Sequence, residues 1–193
     1  MPHFVINDGV AFLFYGILNY IMKNVRVKLI FGAKKMFRKI RKKKNEIDIK
    51  AAQDLLESGR RGVFAVNGDD GYPYAIPINY FYDKDNQKIY FHGAKAGHKV
   101  DALKASDKVC FTAFGNETIK EESWAPYMQS VVVFGKCHLV QDAEKSLELL
   151  KKFAMKYYPD EKLADEEIAI AGKAVQMFEI EIEHMSGKEV QEK

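Results

Sequence analysis

The chain lacks several signals that assign a function directly. Its 193 residues include only two cysteines, Cys110 and Cys137, and neither has histidine or cysteine neighbours at zinc-finger spacing. Both lie in apolar runs typical of strands, which predicts reduced, buried thiols and a cytoplasmic location. No Gly-x-Ser-x-Gly sequence and no cysteine–histidine pair in a suitable context indicates a side-chain nucleophile. No metal site is predicted.

Long hydrophobic runs and internal repeats are missing as well. The apolar stretch over residues 10–22 has 13 residues, which is short for a membrane span. No strand–helix–strand alternation is present, which argues against a dinucleotide-binding parallel sheet. A hydrophobic content of 47% and a charged content of 30% are typical of a soluble globular protein, and the length predicts one domain.

Positive charge is concentrated at the N-terminus. Residues 1–44 hold 11 lysines and arginines and one acidic residue, which gives a charge of +10. Residues 45–193 hold 19 lysines and arginines and 26 acidic residues, which gives a charge of −7. A general nucleic-acid binder needs a basic face, so the acidic body argues against that class.

Three interpretations are open for the N-terminal segment, which ends with eight cations in the eleven residues from Lys34. It is an interfacial membrane anchor with a polybasic flank, a nucleic-acid arm, or translated upstream sequence with Met22 or Met36 as the start. The abrupt change of composition at Met36 favours the last. We predict an extension over residues 1–45 and one domain over residues 46–193, with no membrane partner unless the extension is native.

Apolar alternation and turn sequences predict a mainly β (α+β) fold of six strands. They lie within residues 62–67, 72–83, 89–91, 108–115, 129–140 and 173–184. Helices are expected after the N-caps Asp48 and Asp142, and from His98, with a short helical turn over residues 165–172. The helix after Asp142 is predicted to bury Leu147, Leu150, Ala154 and Tyr157. Gly135 predicts a bulge in the strand over residues 129–140, and the last strand alternates, with Glu179, Glu181 and Glu183 expected in solvent. Because tight turns join most strands, an antiparallel barrel with peripheral helices fits best.

The stretch from Lys88 to Lys104 combines a short strand, a glycine-containing loop and a helix start. Free N–H groups at a helix N-terminus favour an anion, and Lys95, His98 and Lys99 supply charge. Taken alone, this pattern is a weak signal and favours an ordinary strand–helix connection. The preceding strand contains Pro73 and Pro77, which predicts an edge strand, a bulge or a ligand against the backbone.

Several stretches in this order resemble one family. They are GYPYAIPINYFYD, KIYFHGAKAGHKVDALK, KVCFTAF, SVVVFGKCHLVQDAEKSLELLKKFAMKYYP and FEIEIEHMSGKE. The set is similar to the pyridoxamine 5′-phosphate oxidase-like, FMN-binding split β-barrels, and to the nitroimidazole-resistance (Nim-type) branch in particular. The resemblance covers about residues 36–189 and implies a six-stranded split barrel.

The resemblance also implies site residues. The backbone of Tyr74, Ala75, Ile76 and Pro77 would lie along the flavin ring, with Asn79 on the same face. His92 would stand beside the flavin, contacting the substrate or donating a proton. The phosphate would be held by Gly93, Gly97, His98 and Lys99, with Lys99 as the first choice for charge pairing, and Lys95 of the same loop is a further candidate. Ser130 would begin the strand that crosses the dimer, and Trp124 and Tyr127 would line the open side of the flavin.

The implied function is that of an FMN-dependent oxidoreductase that uses NAD(P)H to reduce a small substrate such as a nitroaromatic. The implied assembly is a homodimer with FMN at the interface. Gln129 replaces an arginine found in some members, and Met185 and Val190 replace aromatics, which bears on the substrate. Two alternatives stay open: a haem-binding split barrel with His92, His98 or His138 as ligand, and a flavin-binding protein without turnover.

Overall fold

Eight antiparallel strands form the centre of the protein, which a computed structural model describes for residues 37–121 and 125–191. The strands are β1 (Glu46–Ile47), β2 (Arg61–Asn67), β3 (Pro73–Asn79), β4 (Phe81–Asp83), β5 (Lys88–Ala94), β6 (Lys108–Lys120), β7 (Ala125–Leu139) and β8 (Val175–Gln191). They are hydrogen-bonded in the order β3-β2-β6-β7-β8-β5-β4, and β1 pairs with β8. β3 approaches β5, yet no ladder joins them within the described ranges, so the barrel is split there.

The predicted mainly β, antiparallel barrel with peripheral helices is confirmed. The strand number is eight because β1 is added and because the expected strand over residues 72–83 is interrupted at Tyr80. Tyr80 is fully buried, and its backbone bonds to a side chain. Its N–H donates to the Tyr157 hydroxyl at 2.9 Å, and that oxygen also lies 2.7 Å from the Tyr80 carbonyl. The Tyr157 hydroxyl thus satisfies the backbone N–H and C=O of Tyr80, which a neighbouring strand would otherwise do.

Within residues 37–121 and 125–191, four α-helices pack around the sheet. They are α1 (Ile49–Ser58), α2 (His98–Ala105), α3 (Ala143–Tyr157) and α4 (Glu161–Ala171). Asp48 and Asp142 cap α1 and α3 as predicted, each accepting a backbone N–H from three residues further on. α4 replaces the short turn predicted over residues 165–172, because Asp160 supplies a third N-cap of the same kind. None of the helices described is long and apolar enough to cross a membrane.

Two burial predictions are wrong. Leu147 was expected on the buried face of α3, but 56% of it is exposed, because α3 turns the face of Leu149, Leu150, Phe153 and Ala154 towards the protein. Glu179 was expected in solvent on the last strand, but it is only 9% exposed. It lies in the middle of the sheet, where its carboxylate pairs with Lys88 at 2.6 Å and Lys145 at 2.9 Å.

Aromatic rings from neighbouring strands fill the barrel. Phe91 of β5 stacks on Phe178 of β8 with ring centroids 4.8 Å apart, and both are fully buried. The bulge predicted at Gly135 is confirmed by a register shift between β7 and β8. A Cβ at this residue would lie 2.1 Å from the carbonyl oxygen of Glu181, so only glycine allows the two backbones to approach this closely.

Candidate functional site

Strand β3 presents a free backbone edge. In the turn before it, the Gly68 N–H donates to the carbonyl of Tyr72 at 2.8 Å, which makes these two residues a hydrogen-bonded pair. Such pairs alternate in an antiparallel ladder, so the backbone N–H and C=O groups of residues 74, 76 and 78 bond to β2. The backbone groups of the residues between them point away from β2. The intervening set is Pro73, Ala75, Pro77 and Asn79. Ala75 therefore offers both an N–H and a C=O at the edge, whereas the prolines offer only C=O.

Helix α2 begins without a side-chain cap. Its N-cap is Gly97, whose φ of +116° is in the region that favours glycine, and no side chain accepts a hydrogen bond from its first turn. The other three α-helices all have an aspartate at this position. The N–H groups of Val100 and Asp101 donate to the Gly97 carbonyl, which leaves those of His98 and Lys99 available to an anion, and the helix dipole also favours one.

Lys99 is the second residue of α2, and its ammonium reaches over two buried aromatic rings of β5 and β8. Its Nζ is 4.6 Å from the ring centroid of Phe178 and 5.3 Å from that of Phe91. A Cβ at Gly93 would lie 2.3 Å from Nζ, so the glycine makes room for the lysine. Burial lowers the pKa of Lys99. No carboxylate pairs with it among the described residues, so this cation is available to a ligand.

Tyr74 and His98 meet across the gap between β3 and α2. Their rings stack with centroids 4.1 Å apart, and His98 Nε2 lies 3.5 Å from a carboxylate oxygen of Asp69. Asp69 was not singled out in the sequence, where it reads only as a turn residue. Its carboxylate lies beside the imidazole at the first residue of α2.

His92 faces the helices and not the barrel interior. Its ring meets Phe153 of α3 edge-on at 4.8 Å. Burial and the nearby Lys99 charge lower the pKa of His92, so the imidazole is neutral at pH 7. It borders a cavity of about 100 Å³ between β5, α3 and α4, whose wall also includes Ala154, Tyr158 and Glu167.

The remaining predicted residues are dispersed. Lys95 is not beside Lys99: its Nζ donates to the carbonyl of Lys173 at 2.6 Å. Ser130 lies on β7 opposite Lys188, and Asn79 ends β3 on its exposed face. Tyr127 belongs to β7, and Trp124 lies outside the described residues. Their roles stay predictions.

One face of the sheet is left open by the described helices. On β6 and β7, buried residues alternate with residues whose side chains face outward. The strand registers place these outward residues in two rows that cross β3, β2, β6, β7 and β8. The rows are Pro77, Val63, Thr112, Val132, Ser186 and Ala75, Ala65, Cys110, Phe134, His184. Phe114, next to these rows, is 60% exposed. We call these residues the open face.

A model of the pyridoxamine 5′-phosphate oxidase family matches residues 48–189. The chain belongs to the pyridoxamine 5′-phosphate oxidase family. This family match includes β2 to β7, all four helices and most of β8. No curated protein matches the chain.

Solved structures similar to this family member share its split-barrel fold. A candidate 5-nitroimidazole antibiotic resistance protein from Bacteroides thetaiotaomicron is 19% identical, with a TM-score of 0.63 over 76% of this chain and 87% of that one. A FAD-binding protein from Mesorhizobium loti is 21% identical, with a TM-score of 0.53 over 75% and 96%. The flavocytochrome Anf3 from Azotobacter vinelandii is 18% identical, with a TM-score of 0.60 over 78% and 72%.

Proposed function

We propose that this chain is an FMN-dependent oxidoreductase that takes electrons from NAD(P)H and reduces a small oxidised molecule such as a nitroaromatic. Family membership and the flavin-binding relatives support the cofactor class. The two free thiols agree with the reducing cytoplasm as its location.

The observation that carries the proposal is the uncapped start of α2, whose second residue is the half-buried Lys99. Free N–H groups, a helix dipole and a half-buried cation without a carboxylate partner form a fitting seat for the FMN phosphate. His98, held by Tyr74 and Asp69, borders the same seat. Ala75 would meet the flavin ring with its N–H and C=O, since the ring edge carries both donors and acceptors.

Bound FMN would supply two-electron redox chemistry, and the chain would supply position and protons. His92 is neutral near pH 7, so its ring has one nitrogen that can accept a proton and one that can donate a hydrogen bond. It would orient the substrate and exchange a proton with it. Phe153 fixes the plane of the imidazole for that role.

The proposed assembly is a homodimer joined through the open face. Phe114 and the two outward rows form an apolar surface of the kind that protein contacts cover. Val63, Pro77 and Ala75 lie in these rows and also beside the free edge of β3, so a second copy would complete the flavin site.

An absorption spectrum of the purified protein is the first test. We expect flavin bands near ~370 and ~450 nm, bleached by NAD(P)H. A Soret band would instead support the haem alternative, and flavin bands that NAD(P)H leaves unchanged would support a binder without turnover. No flavin band, with no binding of added FMN, would refute the proposal.

The phosphate seat has a matched test on one helix. Lys99→Ala should weaken FMN binding about 10- to 100-fold, the range for a charge-assisted hydrogen bond, and should leave riboflavin binding nearly unchanged. Lys104→Ala removes the same charge from α2, but Lys104 is exposed and paired with Asp101 at 2.9 Å, so it should have little effect. Equal losses for FMN and riboflavin in Lys99→Ala would remove Lys99 from the phosphate seat.

A further inference from the structure

A large cavity lies among the peripheral helices. Its volume is about 630 Å³, and α3, α4, the turn after α4 and the start of β8 form its walls. Most of its lining is apolar: Val140, Ala143, Leu147, Leu150, Ile168, Ala169 and Val175. We call it the α3–α4 cavity. Its volume is within the range of small-molecule sites, and its apolar walls are also typical of them.

The charges of the α3–α4 cavity all have one sign. Lys95 and Lys173 border it, and no acidic side chain does so among the residues that the structure describes. The bond from Lys95 Nζ to the carbonyl of Lys173 holds the two residues side by side. An apolar cavity with two cations at its border complements a molecule that is apolar over most of its length and anionic at one end.

The α3–α4 cavity leads towards His92. It shares Leu150, Ile168, Gly172 and Val175 with the smaller cavity that His92 borders. Helix α4 covers both and buries little of its own surface: Ala164 is its only buried residue, Ile170 is 82% exposed, and the ion pairs that join it to Lys151 of α3 are on the surface. A helix with so little buried surface can move at low energetic cost, which would admit a ligand to the space beneath it.

We propose that the α3–α4 cavity binds an amphipathic organic anion, a carboxylate whose aromatic or aliphatic body carries a reducible group such as a nitro group, and that this molecule is the substrate of the reaction. In that reaction the nitro compound, NAD(P)H and one proton give the nitroso compound, NAD(P)+ and water. The carboxylate pairs with Lys95 and Lys173, and the apolar body lies along Leu150 and Ile168 with its far end towards His92. The identification as substrate, though not the binding itself, rests on the proposed flavin function.

Two probes of equal shape test the binding. They are 4-(4-nitrophenyl)butanoate and its neutral primary amide, titrated by calorimetry into the flavin-free and the FMN-loaded protein. We expect the acid to bind at least about fivefold more tightly than the amide in both forms, as two partly exposed ion pairs require. Equal affinity of acid and amide, or no binding of either, would overturn the proposal.

Variants locate the binding. Lys95→Gln and Lys173→Gln should each weaken the acid about two- to fivefold and leave the amide unchanged. Ala169→Trp, which places a large ring in the cavity, should abolish binding of both. Lys162→Gln is the matched control, because Lys162 is on α4, is exposed and does not line the cavity. An effect of Lys162→Gln equal to that of Lys173→Gln would show general attraction and refute the site.

Substrate identity is tested apart from binding. With FMN bound, NAD(P)H consumption should have a lower KM for the acid than for the amide, and Lys173→Gln should reduce that difference about two- to fivefold. A chain that binds the acid but no FMN would contradict the proposed function and leave the site standing. A chain that turns over acid and amide with one KM would contradict this inference alone.

Discussion

The carboxylate of Glu179 offers a sharp test of how the middle of the sheet is stabilised. Glu179→Gln keeps the shape of the side chain and removes the charge between Lys88 and Lys145. Burial acts to raise the pKa of Glu179, but hydrogen bonds from the two lysines outweigh it, and the pKa is below its ordinary value of 4.5. The carboxylate therefore stabilises the folded state when it is ionised.

The expected cost follows from the exposure of the three side chains. Breaking a fully buried pair costs about 3–5 kcal/mol, but Lys88 and Lys145 keep 29% and 47% of their side chains in solvent. Water then compensates part of the loss, and about 2 kcal/mol of unfolding free energy is a reasonable value. For a chain of this size that corresponds to a decrease of about 4–8 °C in Tm.

Urea unfolding between pH 3 and pH 8 measures this effect. Because the folded pKa is depressed, the contribution is complete at pH 7 and is lost as the pH falls below about 4.5 towards the folded pKa. The difference between wild type and Glu179→Gln should therefore shrink in acid. Glu181→Gln is the control, since Glu181 is on the same strand and exposed. A pH-independent difference, or an equal loss in the control, would refute the reasoning.

Two further predictions concern the joint between α3 and the sheet, and the lysine at the start of α2. Tyr157→Phe leaves the Tyr80 N–H without its acceptor and should lower the free energy of unfolding, measured with denaturant, by about 2 kcal/mol. The control Tyr158→Phe should leave it nearly unchanged. Similar losses for the two variants would contradict this role of the Tyr157 hydroxyl. Gly93→Ala places a methyl group 2.3 Å from Lys99 Nζ, so it should weaken FMN more than riboflavin at nearly unchanged Tm. A large drop in Tm instead would mean that Lys99 cannot move aside.

The local features of the fold could be predicted from the sequence. Asp48 and Asp142 act on N–H groups three residues away, so the cap and its helix are visible in one short stretch. The bulge at Gly135 is equally local, as is the edge position of a strand with two prolines.

Features that depend on distant neighbours could not be predicted. Glu179 alternates like a solvent-facing residue, but ion pairs with the lysines of β5 and α3 stabilise its carboxylate in the buried position. Leu147 matches the apolar period of α3, yet α4 leaves it beside a cavity. Within the site, sequence placed Lys95 and Lys99 in one loop, but their side chains diverge because Lys95 bonds to Lys173, which is 78 residues away.

Pro73 and Pro77 also affect how the chain behaves before it has a cofactor. An unpaired strand edge normally invites a strand from another molecule, which is a common start of aggregation. On the outward edge of β3 only every second residue could donate a backbone N–H, and two of these residues are prolines, which have none. An added strand would therefore lack several of its hydrogen bonds. We therefore expect that the flavin-free chain does not aggregate by adding strands of other copies to this edge.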